Sequence, residues 1–309
     1  MTAHYPDDPP PRWPNPVLAL GNFDGLHRGH AKIIDRVRRR AGERGGTAAA
    51  LTFDPHPPRV VRPDRAPALL MTTAQRLEAL GRAGMQGVAV VRFTRDMSEW
   101  DPETFVRTVL VDWLHVVEVW VGANFLFGHD RAGTFSVLRT LGARHGFRAE
   151  KIDAVRYKDF VVSSTRIRRL IAEGRVDEAG ALLGHHYFID GAVVRGDARG
   201  REIGFPTANL ESANELLPPA GVYATTAAVA GIEHPSVTNI GTRPTFGGGT
   251  VRVETHLLDG ARDLYDVKLR LSFVQRLRDE RAFPDVDALR AQIEADCRAA
   301  RRLFDRISL

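Results

Sequence analysis

The sequence predicts an α/β half built on a parallel sheet, followed by a smaller antiparallel β half closed by one helix, and three observations carry that reading. Short apolar runs alternate with amphipathic stretches up to about residue 183, the pattern of strands joined by helical crossovers. After Gly184 the strand-like runs come close together, separated by Gly- and Pro-rich turns, as in an antiparallel barrel or sandwich. Between the two regimes' first strand and first helix stands Gly21-Asn22-Phe23-Asp24-Gly25-Leu26-His27-Arg28-Gly29-His30, where phosphate-handling turns occur.

At 309 residues the chain exceeds the size at which one core keeps growing, so two domains are expected. Residues 1–16 are rich in proline and aspartate, lack the apolar centre of a secretory signal and read as a flexible lead-in. The first domain is expected over 17–184 and the second over 185–309. Buried strands are predicted at 17–20, 47–53, 88–93 and 116–121, and helices at 31–44, 73–83 and 101–114. The last of these opens with Asp101 as N-cap and Pro102 at the first helical position. This alternation predicts a Rossmann-like sheet with helices on both faces.

Helical stretches at 165–174 and 176–183 bridge the halves. Strand-like runs follow at 187–194, 222–229, 236–240, 251–258 and 268–273, and a helix over 285–304 ends the chain. In that helix Leu289, Ile293, Cys297, Ala300 and Phe304 recur every three to four residues, so Cys297 is expected on its buried face. As the single cysteine, Cys297 forms no internal disulfide, in agreement with a reducing cytoplasm.

Hydrophobic content of 43% and charged content of 26% are those of a globular protein, and no apolar stretch is long enough for a bilayer. Net charge is +5, which suits polyanionic ligands. The basic residues are scattered or paired with acids, without the continuous stripe and interleaved aromatics of a nucleic-acid surface. A nucleic-acid-binding protein on a nucleotide-binding fold is therefore an alternative resting on charge alone.

Within the decapeptide, Gly21, Gly25 and Gly29 let the backbone approach a ligand, and a strand ending where a helix begins directs free amides at it. His27 and His30, three apart at a helix head, occupy neighbouring surface positions and can jointly donate to phosphoryl oxygens. A zinc site is the competing reading, but no further ligands follow at recognisable spacing. In Ser163-Ser164-Thr165-Arg166-Ile167-Arg168 a hydroxyl N-cap precedes two guanidiniums suited to phosphate oxygens. Asn124 follows a predicted strand, where open parallel sheets bind ligands. Pro55-His56-Pro57 reads equally as a cover for the site or as a strand-end turn. Gly- and Arg-rich residues 195–204 form a possible phosphate cradle, and His185-His186 reads as hinge surface.

The decapeptide resembles the Gly-x-Phe-Asp-Gly-x-His-x-Gly-His segment of nucleotidyltransferases and, within them, of the bifunctional riboflavin kinase/FAD synthetase family. Further stretches follow in that family's order: Thr52-Phe53-Asp54-Pro55-His56-Pro57, Val121-Gly122-Ala123-Asn124-Phe125-Leu126-Phe127-Gly128, Ser163 to Arg168, Gly204-Phe205-Pro206-Thr207-Ala208-Asn209, Gly241-Thr242-Arg243-Pro244-Thr245-Phe246 and Glu254-Thr255-His256-Leu257-Leu258-Asp259. The resemblance implies a kinase that makes FMN from riboflavin in the C-terminal barrel and an adenylyltransferase that makes FAD from FMN in the N-terminal domain. ATP, riboflavin and FMN are then the small-molecule partners, with Mg2+ accompanying ATP and neither nucleic acid nor membrane involved.

It implies, too, that His27 and His30 contact the ATP phosphates in a pocket shaped by Gly21, Phe23 and Asp24. Asn124, Ser164, Thr165, Arg166 and Arg168 complete the nucleotide contacts. In the second half Gly196, Gly200, Arg201 and Gly204 would cradle phosphates, Thr207 and Asn209 would hold magnesium, and Glu254 would act as catalytic base on the ribityl hydroxyl. If Glu254 lies on a strand, Thr255 and His256 point to opposite faces. The chain departs from the family at Leu126, where relatives carry arginine, at Asp266 and at His185-His186. The first departure motivates a second alternative, a single-activity riboflavin kinase whose N-terminal half is scaffold.

Overall fold

The computed structural model describes residues 1–6, 8–195, 199–243, 250–260, 264 and 267–307. The chain divides into two compact units, Met1–Ser164 and Thr165–Leu309.

The first unit is a six-stranded sheet of β1 (Thr2–His4), β2 (Val17–Leu20), β3 (Ala48–Phe53), β4 (Gly87–Val91), β5 (Glu118–Gly122) and β6 (Arg148–Ile152), in spatial order β1-β4-β3-β2-β5-β6. Every neighbouring pair is parallel. Burial on both faces explains the unbroken apolar reading of the central strands. Leu18 and Leu20 join Leu51, Val121 and Leu138 in one core, while Val17 and Ala19 join Ile34, Val37 and Val88 in the other. The helices are α1 (Arg28–Glu43), α2 (Pro57–Val61), α3 (Thr73–Arg82), α4 (Arg95–Ser98), α5 (Pro102–Phe105) and α6 (Phe135–His145), and a small hairpin pairs β7 (Arg156–Tyr157) with β8 (Phe160–Val161).

Three features differ from the sequence reading. The expected helix over 101–114 starts as predicted, with Asp101 accepting from the Thr104 amide at 2.9 Å, but widens into a π-helix over Val106–Trp113. β6 and α6 lack a clear apolar signature; β6 is an edge strand with polar residues at Arg148, Glu150 and Lys151. The lead-in is not loose: Thr2–His4 pairs with β4 at the sheet edge. Trp13 covers Gly87, where a Cβ would come within 2.3 Å of its ring, and the Thr47 amide donates to Pro14 O at 2.9 Å. An open strand edge and a large indole give this short segment enough to bind.

The second unit contains α7 (Ser164–Ala172), whose first residue closes the first unit, then α8 (Val176–Leu183), β9 (Tyr187–Val194), α9 (Arg199–Glu202), β10 (Ala208–Ser212), β11 (Gly221–Val229), β12 (Ile232–Arg243), β13 (Thr250–Leu257), β14 (Lys268–Arg278) and α10 (Val286–Phe304). The six strands close in the order β10-β13-β12-β11-β14-β9, antiparallel throughout. Closure decides between barrel and sandwich and leaves no strand edge open. β10, a short half-polar strand, was not legible as one. The division between units lies N-terminal to the boundary expected near residue 185, because α8 packs on β14 and β9.

The barrel interior carries a buried hydroxyl ladder. Thr225 Oγ1 meets Ser236 Oγ at 2.8 Å and Thr238 Oγ1 at 2.7 Å, and Thr238 Oγ1 donates to Thr255 Oγ1 at 2.9 Å. Outside, α10 is capped by Asp285, which accepts from the Ala288 amide at 2.8 Å, and packs Cys297 and Ala300 against Val222, Ala224 and Val237. Burial pushes the Cys297 thiol above its ordinary pKa, which keeps it unreactive.

Candidate functional sites

β2 is the strand at which the order of the sheet reverses: β3 and β4 extend from one side of it and β5 and β6 from the other. Ligands of open α/β sheets bind at the carboxyl ends of strands flanking such a reversal. Ala19 of β2 pairs with Trp120 of β5, so the decapeptide turn after β2 and the Gly122-Ala123-Asn124 turn after β5 leave the sheet side by side. Asn124 is exposed there.

Positive φ angles at Phe23 (51°), Gly25 (84°) and Leu26 (37°) turn the chain from β2 into α1. Phe23 and Asp24 support this turn from within. The Phe23 ring is fully buried and meets the His30 ring edge at 5.3 Å. The buried Asp24 carboxylate accepts from the Leu70 amide at 3.0 Å and the Met71 amide at 3.1 Å, and its carbonyl accepts from Ser164 Oγ at 2.9 Å. Ser164 is thus brought to the turn, whereas Thr165, Arg166 and Arg168 belong to the second unit.

The histidines are not the exposed surface pair that their spacing suggested. Their rings stack at 3.7 Å, 12° from parallel, and His27 is 7% exposed. His27 caps α1, its Nδ1 accepting from the His30 amide at 3.3 Å, which leaves the neutral ring's proton on Nε2 as a donor. Gly29 permits this fold-back, since a Cβ there would lie 3.1 Å from His27 Cε1. Burial, and then the neighbouring His27, hold the His30 pKa well below its ordinary value, so His30 is neutral near pH 7. His30 Nδ1 is buried without a hydrogen-bond partner. A buried imidazole nitrogen left unpaired beside a helix N-terminus marks a place for a ligand atom.

In the second unit, register assembles the other site. Asn209 of β10 stands opposite Glu254 of β13, and Glu254 stands opposite Asn239 of β12, so the carboxylate lies between two amides on one barrel face. Thr255 is buried at 1% exposure while His256 Nδ1 donates to Pro206 O at 2.9 Å, opposite faces as the strand period requires. That bond ties the segment carrying Thr207 to β13. Gly200 fits beneath the same segment: a Cβ there would meet Phe205 O at 2.4 Å and Thr207 Oγ1 at 3.2 Å. Gly204 turns the chain at φ 88°. Gly196, Asp266 and the side chain of Arg201 lie outside the described residues.

Of the remaining candidates, Pro55-His56-Pro57 leads from β3 into α2 with His56 buried at 6% exposure, as a strand-end turn does. Leu126 is 41% exposed between the stacked rings of Phe125 and Phe127. His185 Nδ1 bonds the His186 carbonyl at 2.8 Å. Among the described residues no group of three or more His, Cys, Asp or Glu side chains is placed to hold a metal ion. Sequence reasoning missed Arg76 and Asn239. Arg76 sits on a capped amphipathic helix where arginine normally reaches solvent, and only the barrel register reveals Asn239.

A glycine-histidine turn at a sheet reversal, followed by hydroxyl, amide and carboxylate oxygens on a barrel face, defines a two-part enzyme of phosphate-group transfer. The FAD synthetase family matches residues 10–166 and the riboflavin kinase family residues 183–304. A bifunctional riboflavin kinase/FMN adenylyltransferase of Pseudomonas fluorescens is 40% identical over 288 residues, 93% of this chain and 92% of that one. One from Escherichia coli K12 is 37% identical over 289 residues, again 93% and 92% of the two chains. The chain belongs to the bifunctional riboflavin kinase/FMN adenylyltransferase family, with the FAD synthetase part N-terminal and the riboflavin kinase part C-terminal. A crystal structure described as a macrolide-efflux protein from Streptococcus pneumoniae is also similar, with TM-score 0.88 and 27% identity over 97% of this chain and 98% of that one. Among the described residues of the present chain no helix is long and apolar enough to cross a membrane.

Proposed function

We propose that each half handles its own ATP, and that FMN made on the barrel face is the substrate adenylylated at the histidine turn. On the barrel, Glu254 accepts the proton of the terminal ribityl hydroxyl as that oxygen attacks the γ-phosphorus and ADP departs. Thr207 and Asn209 would hold magnesium, a role their hydroxyl and amide oxygens fit: both are hard donors two residues apart, and the pairing of β10 with β13 sets Asn209 opposite Glu254. When bound, the ion neutralises charge on the phosphates. Gly196, Gly200, Arg201 and Gly204 would contact the same nucleotide.

At the histidine turn, an FMN phosphate oxygen attacks the α-phosphorus and pyrophosphate leaves, with no covalent enzyme intermediate. His27 and His30 donate N–H bonds to the phosphoryl oxygens as charge develops, in a site that burial keeps partly dry. Ser164 supplies a further phosphate contact, and Asn124 contacts nucleotide or flavin. We take residues 17–184 and 185–309 as the two functional domains, and the cytoplasm as their compartment on the strength of the single, buried Cys297.

The observation that carries this reading is the register of β10 and β13, which sets Asn209 directly opposite Glu254. The test is chromatographic separation of flavins over time from purified protein given riboflavin, ATP and magnesium. FMN should rise first and FAD follow. FMN accumulating with no FAD would refute the N-terminal assignment, and no FMN would refute the C-terminal one.

A further inference from the structure

Among the described residues the largest fully buried side chain is a charged one, outside the candidate residues of either site. Arg76, on α3, is 2% exposed. Its Nη1 donates to Asn22 O at 3.2 Å, and its Nη2 donates to Phe53 O at 3.1 Å and to Thr73 Oγ1 at 3.3 Å. Asn22 lies in the decapeptide just beyond β2, and Phe53 is the last residue of the adjacent β3. One planar guanidinium therefore ties together two neighbouring strand ends at the carboxyl edge of the sheet. Thr52 Oγ1 donates to the same Asn22 carbonyl at 3.1 Å.

The helix that delivers this group is fixed at its own start. Thr72 and Gln75 form a reciprocal capping box, and the Asp24 carboxylate holds the Leu70 and Met71 amides just before it. Burial lowers the Arg76 pKa, against the attraction of Asp24 and Asp54 for its charge; a guanidinium still stays protonated at neutral pH. Its Nε is buried without a partner, so the arrangement is an expensive way to join two carbonyls. A neutral amide or a hydroxyl would serve a merely structural tie. What only a cation adds is a fixed positive charge beneath the turn, in a medium where charge acts over longer range than in water.

We infer that Arg76 is a positioning residue for adenylyl transfer: it clamps the decapeptide turn to the end of β3, holding His27 and His30 in place, and sets a buried positive charge under the departing pyrophosphate. This rests on the adenylyltransferase reading of the histidine turn.

The test uses the full chain with Arg76→Met and Arg76→Lys, measuring adenylylation of supplied FMN, phosphorylation of riboflavin as an internal control, and thermal melting. A misplaced reacting group costs roughly 100-fold in rate, so Arg76→Met should lower kcat for FAD formation by about that factor while riboflavin kinase constants stay at the wild-type level. Arg76→Lys keeps the charge but loses the planar fork that reaches the two carbonyls from separate nitrogens, and should recover about tenfold of the loss. Should Arg76→Met melt the first unit, the lysine variant decides: an adenylylation rate equal to wild type overturns the clamp, and an intermediate kcat with unchanged KM for ATP supports it. Adenylylation constants of Arg76→Met within twofold of wild type overturn the inference outright. A wild-type protein that makes no FAD would instead overturn the reading on which the inference rests.

Discussion

The two candidate sites are built by opposite means. At the histidine turn both imidazoles and the backbone that carries them come from one stretch, Gly21 to His30, and the fold adds supports: Asp24 to the Leu70 and Met71 amides, Arg76 to Asn22 and Phe53, Ser164 to the Asp24 carbonyl. On the barrel the groups are single residues from three strands, Asn209, Asn239 and Glu254, aligned only by register. A local site tolerates changes elsewhere as long as its turn keeps shape. A register-built site depends on whatever holds strands in phase, since a slip of one residue would send Glu254 to the interior.

The comparison predicts separable failures. The largest effect is expected from Glu254→Ala, which removes the proposed proton acceptor and should lower FMN formation about 1000-fold while FAD formation from supplied FMN is unchanged. Parallel losses in both assays would contradict the separation. His30→Ala should do the reverse, lowering adenylylation about 100-fold through loss of one preorganised donor and leaving riboflavin phosphorylation intact.

Thr238→Val probes the register argument. Valine matches threonine in shape but leaves the hydroxyls of Thr225 and Thr255 short of a partner, at a cost of about 1–2 kcal/mol. The barrel should melt at lower temperature, followed by circular dichroism, and riboflavin phosphorylation should suffer before adenylylation does. Unchanged melting would show that the ladder does not hold the strands in phase.

The smallest effect concerns pH. Because burial, then His27, depress the His30 pKa in the folded protein, the unfolded chain takes up this proton first. Stability from neutral His30 is fully present above its unfolded pKa of about 6.5 and is lost as pH falls toward the folded value. Comparing melts near pH 7 and pH 5 for wild type and His30→Gln should show a smaller acid-induced drop in the variant. An equal drop would place the acid sensitivity elsewhere.

Much of the fold was legible because local chemistry dictated it. Unbroken apolar runs marked β2, β3, β4 and β5, since a parallel strand covered on both faces has no polar side. Asp101-Pro102 marked a helix start, and the period of Leu289, Ile293 and Cys297 marked α10. β6 and β10 were not legible, because edge and barrel-rim strands keep polar residues among their apolar ones. The closing of the β half into a barrel, with β9 meeting β10, was expected from the family resemblance, whereas the strand pattern by itself allowed a barrel or a sandwich.

The amino-acid sequence alone determined the residue types present: a glycine turn with two imidazoles, a threonine and an amide of the kind that suits a hard cation, and a carboxylate able to take a proton. These are properties of residue types and short spacings, which act over a few bonds. Tertiary structure decided their condition. It stacked His27 on His30, burying His27 and the Nδ1 of His30 where spacing suggested exposure, set Asn209 and Asn239 on either side of Glu254, and brought Arg76 out of solvent under the turn. The reason is that burial, register and the pairing of distant carbonyls depend on which strands lie side by side, and no local stretch of the chain encodes that by itself.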